Sequence, residues 1–408
     1  MSRYQLRRNT EEEYRASTLE LFYDLVFVFA VTQVSHLLLE HLTWLGALQS
    51  LIVILVVWWA WQFTTWATNE LDPDAIPIRL LLIAIMLGSL LMSVAIPEAF
   101  GDRGLLFAAA YVAIQVGRHT FMTFVTAEAG TNERNRALHI LIWFVFAGVF
   151  WIAGGLAEGD TRIILWLVAL AVDYGGPLAT YRVPFLKRQV TTDAWDIGGT
   201  HFAERFQLFT IIALGETVVL TGATTAGLEL DAPTVAAFTA AFLSTVCLWW
   251  LYFNYVGDVF ERLLVNAENR TLMARDLYTF GHIPIIAGII LCAVGDELII
   301  AHPTEYLKTP YLVAAVAGPV LYLLSFAPVR YRMTGGLPVK RVAGAAASIA
   351  VGLVASATHM SALAVGSLLV AILIGVVIWE TVAPSRPHDV EDDPVLEEGT
   401  EATNPQSH

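Results

Sequence analysis

The chain has 408 residues, 56% of them hydrophobic and only 15% charged, with a formal net charge of −14. Soluble domains carry about a quarter charged residues, so a soluble globular protein is excluded. The absence of a basic stripe excludes a nucleic-acid-binding protein.

Apolar runs recur along the chain, and a run of about 20 residues crosses a bilayer core of about 30 Å. Twelve helical spans are predicted, at 18–38, 44–66, 78–98, 104–127, 137–156, 162–182, 201–222, 233–256, 276–298, 310–328, 338–357 and 360–383. Residues 1–17 read as a cytoplasmic N-terminal segment. Glu11, Glu12 and Glu13 precede the first apolar run, and no small-residue cleavage site follows it, unlike a signal peptide.

The first span contains ELFYDLVFVFAVTQVSH, from Glu20 to His36. On a helix, Glu20, Asp24, Phe27, Val31 and Ser35 share one face. Ser17-x-x-Glu20 fits a capping box. Asp24 lies deeper, where a carboxylate faces a bundle interior or water. His36, Glu40 and His41 fall at the outer surface.

Span four carries Arg118 and His119. Arg118 stays charged and needs a counter-ion, for which Asp24, Asp173 and Glu216 are the deep acids. Span six holds Asp173-Tyr174-Gly175-Gly176-Pro177, where the proline should kink or break the helix. The reading taken here is a kink near the inner surface with Asp173 hydrogen-bonded to a neighbour. A broken-helix ion site is the alternative.

Span seven echoes the first with HFAERFQLFTIIALGETVV, His201 to Val219. His201, Glu204 and Arg205 lie near its cytoplasmic end. Glu216 lies 12 residues beyond Glu204, about 18 Å along the helix, so its carboxylate must be neutral, paired or hydrated. In span nine, His282 reads as a hydrogen-bonded core residue. Cys247 and Cys292 sit inside apolar runs as packing residues, and no zinc pattern is present. In span eleven, Gly344, Ser348, Gly352 and Ser356 form a small-residue ladder suited to an internal or dimer helix contact. Residues 384–408 form an acidic cytoplasmic tail that reads as disordered.

With a cytoplasmic N-terminus, 18 of the 23 Lys and Arg fall on inner segments. The outer loops hold only Arg103, Arg162 and Lys308. That asymmetry puts both termini in the cytoplasm of a cell-membrane protein. The spans fall into two halves, 18–182 and 201–383, joined by a cytoplasmic linker at 183–200. Glu20-x-Phe22 matches Glu204-x-Phe206 at a shift of 184. Trp58-Trp59, Glu70 and Arg79 match Trp249-Trp250, Glu261 and Arg270 at a shift of 191. Repeats of six spans keep one orientation, so they would be parallel. The fold class is an all-α polytopic membrane protein of two parallel six-helix repeats.

The motifs Glu20-Leu-Phe-Tyr-Asp24-Leu-Val-Phe-Val-Phe with Gln33 to His36, and His201-x-x-Glu204-Arg205-Phe with Gly215-Glu216, resemble the bacterial low temperature requirement protein A (LtrA) family. The resemblance covers about residues 10–383 and implies a multi-pass membrane protein. It implies no activity, because that family is named for a growth phenotype. Phe22-Tyr-Asp24-Leu-Val-Phe-Val-Phe-Ala-Val-Thr is also similar to the first-helix motif of the lysosomal potassium-channel family that lacks a re-entrant pore loop. The second half departs from that pattern, with Leu208 where the matching Asp would fall.

These features point to a transporter or permease-like protein with a proton- or cation-linked carboxylate site. Asp24, Arg118, Asp173, Glu204, Arg205 and Glu216 are assigned to the pathway. Glu20, Phe22, His36 and His201 support them. The alternatives are a cation channel around spans one and seven, or a structural or sensory protein linked to low-temperature growth and stress. No nucleophile–base pair or metal cluster suggests an enzyme, and no cofactor is called for. The partners expected are the bilayer, a proton or small solute, and a second copy of the chain. If Asp24, Arg118 and Glu216 converge on one cavity, transport or conduction gains; if they face separate helix contacts, the structural reading wins.

Overall fold

The structure is a computed structural model that describes residues 6–7, 15–186, 190, 195, 197–334 and 336–383. The acidic tail, most of residues 1–17 and the middle of the linker lie outside the described residues. Twelve helices are long and apolar enough to cross a membrane, one for each predicted span. They are α1 Thr18–Glu40, α2 Trp44–Glu70, α3 Ile76–Glu98, α4 Gly104–Thr126, α5 Asn132–Leu156, α6 Gly159–Leu178, α7 Gly199–Ala226, α8 Ala232–Val265, α9 Arg270–Ala301, α10 Thr309–Tyr331, α11 Val339–Thr358 and α12 Ala362–Val382. Short connections make successive helices antiparallel, so the chain enters α1 and leaves α12 at the same end of the bundle. That end is called the near end below.

Helix starts follow local chemistry. Ser17, Thr43, Thr131, Asp231 and Ser361 each accept a backbone N–H in the first turn, satisfying donors that a helix leaves free. The Ser17–Glu20 capping box is complete, with both reciprocal bonds formed. Helix α7 lacks such a cap. Its start is held from α2, where Asn69 accepts from Gly198 N at 3.0 Å and donates to Gly198 O at 3.2 Å.

Helix α6 runs through Pro177 and stops one residue later. Thr180 and Tyr181 then adopt positive φ, 48° and 52°, folding the Tyr181 ring back against the helix. Gly176 makes room for it, since a Cβ there would lie 2.6 Å from the ring. Single wide turns interrupt α8 at Tyr252–Val256 and α9 at Ala274–Phe280. Such π turns leave carbonyls free for side chains. Trp58 of α2 donates to Thr279 O at 2.8 Å, and His282 bonds Leu277 O and the Tyr252 hydroxyl. His282 is the core residue that its sequence position implied.

Helices pack in the same neighbour order within each half. In the first half α1 touches α2 and α3, α3 touches α4, α4 touches α5, α5 touches α6, and α6 returns to α2. In the second half α7 touches α8 and α9, then α9–α10, α10–α11 and α11–α12 follow, and α12 returns to α8. The halves meet along a seam where α1 and α2 lie against α7 and α9. The α11 ladder is an internal contact at Gly344, which packs on Val376 and Leu323, and at Gly352, which packs on Val316. Ser356, its fourth member, is exposed.

The α9–α10 pair shows how closely the backbones approach. A Cβ on Gly318 would lie 2.5 Å from the Cys292 backbone nitrogen, and one on Gly288 would lie 2.8 Å from that of Tyr322. Gly318→Ala should therefore destabilise the protein by about 1–3 kcal/mol, the usual cost of overpacking. Thermal unfolding in detergent checks this; an unchanged melting temperature would show that the pair can separate freely.

Candidate functional site

At the seam, near the start of α1 and α7, a cluster of ionisable side chains is closed off from solvent. Glu20 and Arg205 are 0% exposed, Asp24 1% and His201 4%. Arg205 Nη1 lies 3.0 Å from Glu20 Oε1, and Nη2 donates to Asp24 Oδ1 at 2.5 Å. Trp61 of α2 donates to the same Asp24 oxygen at 2.8 Å. Glu20 takes a further bond from Ser17 N at 2.8 Å.

The protonation pattern of His201 follows from its neighbours. Gly198 fixes the orientation of the Asn69 amide, so Asn69 Nδ2 donates to His201 Nδ1 at 3.1 Å. His201 must then carry its proton on Nε2, which faces Glu20 Oε1 at 3.2 Å. This assignment makes His201 neutral. The cluster therefore places two carboxylates against one guanidinium. Aromatic rings adjoin it: Trp61 packs edge-on against Phe206 and tilted against Phe209, and these rings keep water out.

Arg118 behaves differently from the sequence expectation. It is 0% exposed, yet among the described residues no carboxylate lies within ion-pair reach. Its Nη1 donates to Thr64 Oγ1 at 3.0 Å and to Ala60 O at 3.5 Å, and Nη2 donates to Gln115 Oε1. Gln115 Nε2 then donates to the Tyr111 hydroxyl at 3.1 Å, and Tyr111 donates to Asp173 Oδ2 at 2.8 Å. Tyr111, Gln115 and Arg118 lie on one face of α4 at helical spacing. Each dipole in this chain points from the cation to the anion, so Asp173 serves Arg118 through two intermediaries and not by contact. Trp151 donates to the same Asp173 oxygen at 2.9 Å. Asp173 is thus hydrogen-bonded to neighbours beside the α6 proline, as the simpler sequence reading held.

Glu216 lies further along α7, with 0% exposure. Its partner is Thr32 of α1, which donates to Oε2 at 2.5 Å. Arg118 does not reach it. The deep residues Asp24, Arg118 and Glu216 therefore occupy three separate contacts and share no cavity. Glu204 accepts from Ala16 N at 2.9 Å. Phe22 is 56% exposed on the outer side of α1 and takes no part in the cluster. His36, Glu40 and His41 are exposed at the far end.

A cleft opens at the near end between the first half and α9. Gln62 and Trp66 of α2, Arg136 of α5, Tyr181 after α6, and Arg275 and Thr279 of α9 line it. Its charges are matched locally: Arg136 pairs with Glu70, and Arg275 with Asp276 at 2.8 Å. The sequence reading missed this cavity, because its walls come from six separate segments of the chain. It also missed Asp296 and Glu297, adjacent acids inside an apolar run, which composition alone could have flagged.

Removing Arg205 should leave two buried carboxylates without their cation. Arg205→Met is expected to cost about 3–5 kcal/mol, and adding Asp24→Asn should recover part of it. Melting temperatures of the two single variants and the double variant measure the coupling. Simple additivity would show that the pair does not hold the seam.

The sequence model of the bacterial low temperature requirement A protein (LtrA) family matches residues 15–378. The uncharacterized protein RA0937 of Rhizobium meliloti (strain 1021) is 37% identical over 383 residues, covering 93% of this chain and 92% of the relative. No solved structure matches the chain. The matched segment runs from the entry to α1 into α12 and contains both halves and the seam cluster, so the chain belongs to the bacterial LtrA family of multi-pass membrane proteins.

Proposed function

We propose that this protein is a carrier of a small solute, coupled to a proton or cation at the Glu20–Asp24–Arg205–His201 cluster. The observation that carries this reading is the charge count at the seam. Two fully buried carboxylates, Glu20 and Asp24, share one guanidinium and a histidine where the two halves meet. Ionisable groups at that depth are costly and favour a proton or small-cation pathway, so a proton or a small cation has a reason to visit the cluster. Arg118 faces the same region from α4, with the Tyr23 hydroxyl on the intervening carbonyls of Ala60 and Trp61. It can influence the cluster through that hydroxyl.

The seam is where a carrier needs such a group. Occupancy of the cluster changes how tightly α1 grips α7, and the near-end cavity lies between the same two halves. The common neighbour order supports reading 18–182 and 201–383 as parallel repeats. The Thr32–Glu216 bond joins positions 184 apart, the shift that relates the Glu20 and Glu204 motifs. An isologous two-fold contact near its axis brings such equivalent positions together. The arginine and lysine distribution supports a cell-membrane protein with the near end, and hence the cavity, in the cytoplasm.

A purely structural role is the second reading. It is favoured by one observation, the placement of Asp24, Arg118 and Glu216 in three separate helix contacts. Cysteine accessibility separates the readings without knowledge of the solute. In a background with Cys247 and Cys292 replaced by Ala, Thr271→Cys reports on the cavity and Thr224→Cys on the far end. The carrier reading expects the two labelling rates to change in opposite directions with pH, and expects Asp24→Asn to freeze one pattern. Simultaneous labelling at both ends would favour a channel. Rates indifferent to pH and to Asp24→Asn would favour the structural role.

A further inference from the structure

At the far end, three acids lie inside the bundle where no lysine or arginine answers them. They are Glu216 of α7 and the adjacent Asp296 and Glu297 of α9. Glu216 is fully buried, and although Thr32 bonds one of its oxygens, Oε1 has no hydrogen-bond partner. Asp296 Oδ2 and Glu297 Oε2 are closed off from solvent and likewise have none. Neither Glu216 nor Glu297 lies within ion-pair distance of a cation among the described residues.

The surroundings of the two glutamates are oxygen-rich. Thr32 and Ser35 of α1 stand beside Glu216, and Thr224 of α7 stands beside Glu297. The titratable groups facing them are few. Glu216 and Glu297 act on each other, His36 of α1 acts on both, and Asp296 is the neighbour of Glu297, facing Ser244 of α8. His36 is exposed. No group of three or more His, Cys, Asp or Glu side chains among the described residues is placed to hold a metal ion, which argues against a chelated transition metal. Hydroxyl and carboxylate oxygens suit hard cations.

We propose that Glu216 and Glu297, with the hydroxyls of Thr32 and Thr224, form a far-end binding site for a small monovalent cation, either sodium or a proton. Two neighbouring carboxylates whose one nearby base is the exposed His36 gain from one positive charge held between them. The unpaired oxygens supply the coordination. In the wild-type protein α1, α7 and α9 meet there, so an occupied site would draw these three helices together at the end opposite the seam cluster. The site stands on its own geometry and does not depend on the carrier reading.

Thermal unfolding of the full chain in detergent tests this. It is measured in sodium chloride, potassium chloride and choline chloride at one ionic strength, at high and at low pH. If sodium is the occupant, sodium raises the melting temperature at high pH and loses its effect at low pH, where protons compete. If a proton is the occupant, the salts act alike and the melting temperature falls as pH rises. In either case Glu297→Gln should remove the far-end part of the response, the part that persists in an Asp24→Asn background where the seam contribution is gone, so the double variant should show none of it. Should Glu297→Gln fail to fold, Thr224→Val, which removes one oxygen ligand, should weaken the response. A melting temperature indifferent to both sodium and pH, or a response identical in wild type, Glu297→Gln and Thr224→Val, overturns the proposal.

Discussion

Arg205 holds this bundle together at its most demanding point. Its guanidinium is buried between Glu20 and Asp24, and thereby joins the first helix of one half to the first helix of the other. A charge at that depth is tolerated only where geometry and additional hydrogen bonds offset its desolvation. The additional bonds are present: Trp61 supports Asp24, Ser17 supports Glu20, and Asn69 sets the tautomer of His201. The same Asn69 holds the uncapped start of α7 through Gly198. One network therefore positions a helix, selects a proton position and closes the seam.

The other deep polar groups follow the same rule by different means. Arg118 lies too far from any acid among the described residues to pair, so Gln115 and Tyr111 carry its field to Asp173. Phe63 lies under the guanidinium at 5.4 Å, adding a cation–π contact in a desolvated site. At the far end of α6, Arg162 satisfies its guanidinium with carbonyls alone, those of Ala99, Gly101, Gly154 and Ala157. Buried carboxylate oxygens are left over at Asp24 and Asp173 as well as at Glu216 and Glu297. Unlike Asp24, the far-end glutamates have no lysine or arginine within ion-pair distance among the described residues.

The arrangement has a functional logic under the carrier reading. The seam cluster lies on α1 and α7, and the far-end acids lie on α7 and α9 against Thr32 of α1, at opposite ends of the span. A charge gained at either end alters how α1 rests on α7. The near-end cavity has its charges matched by its own rim, so it presents Gln62 and aromatic walls to whatever enters. Moving charge and housing a solute are thus assigned to different places on one interface.

Hydrophobic runs and the distribution of arginine fixed the twelve spans, because length and apolarity alone decide whether a helix can cross a bilayer. The motif spacing likewise identified the family, and local rules identified the Ser17–Glu20 cap and the hydrogen-bonded state of Asp173 beside Pro177. Pairing across the bundle was beyond the sequence. Nothing in the spacing of Asp24, Arg118, Arg205 and Glu216 says which acid meets which cation. That depends on the rotation of each helix about its axis, and packing against several neighbours sets the rotation. The tertiary structure gave Asp24 to Arg205, left Arg118 to a relay, and turned Phe22 outward. It also built the near-end cavity from helices distant in the chain and set Glu216 of α7 against Thr32 of α1, because such contacts exist only where packing brings those helices together.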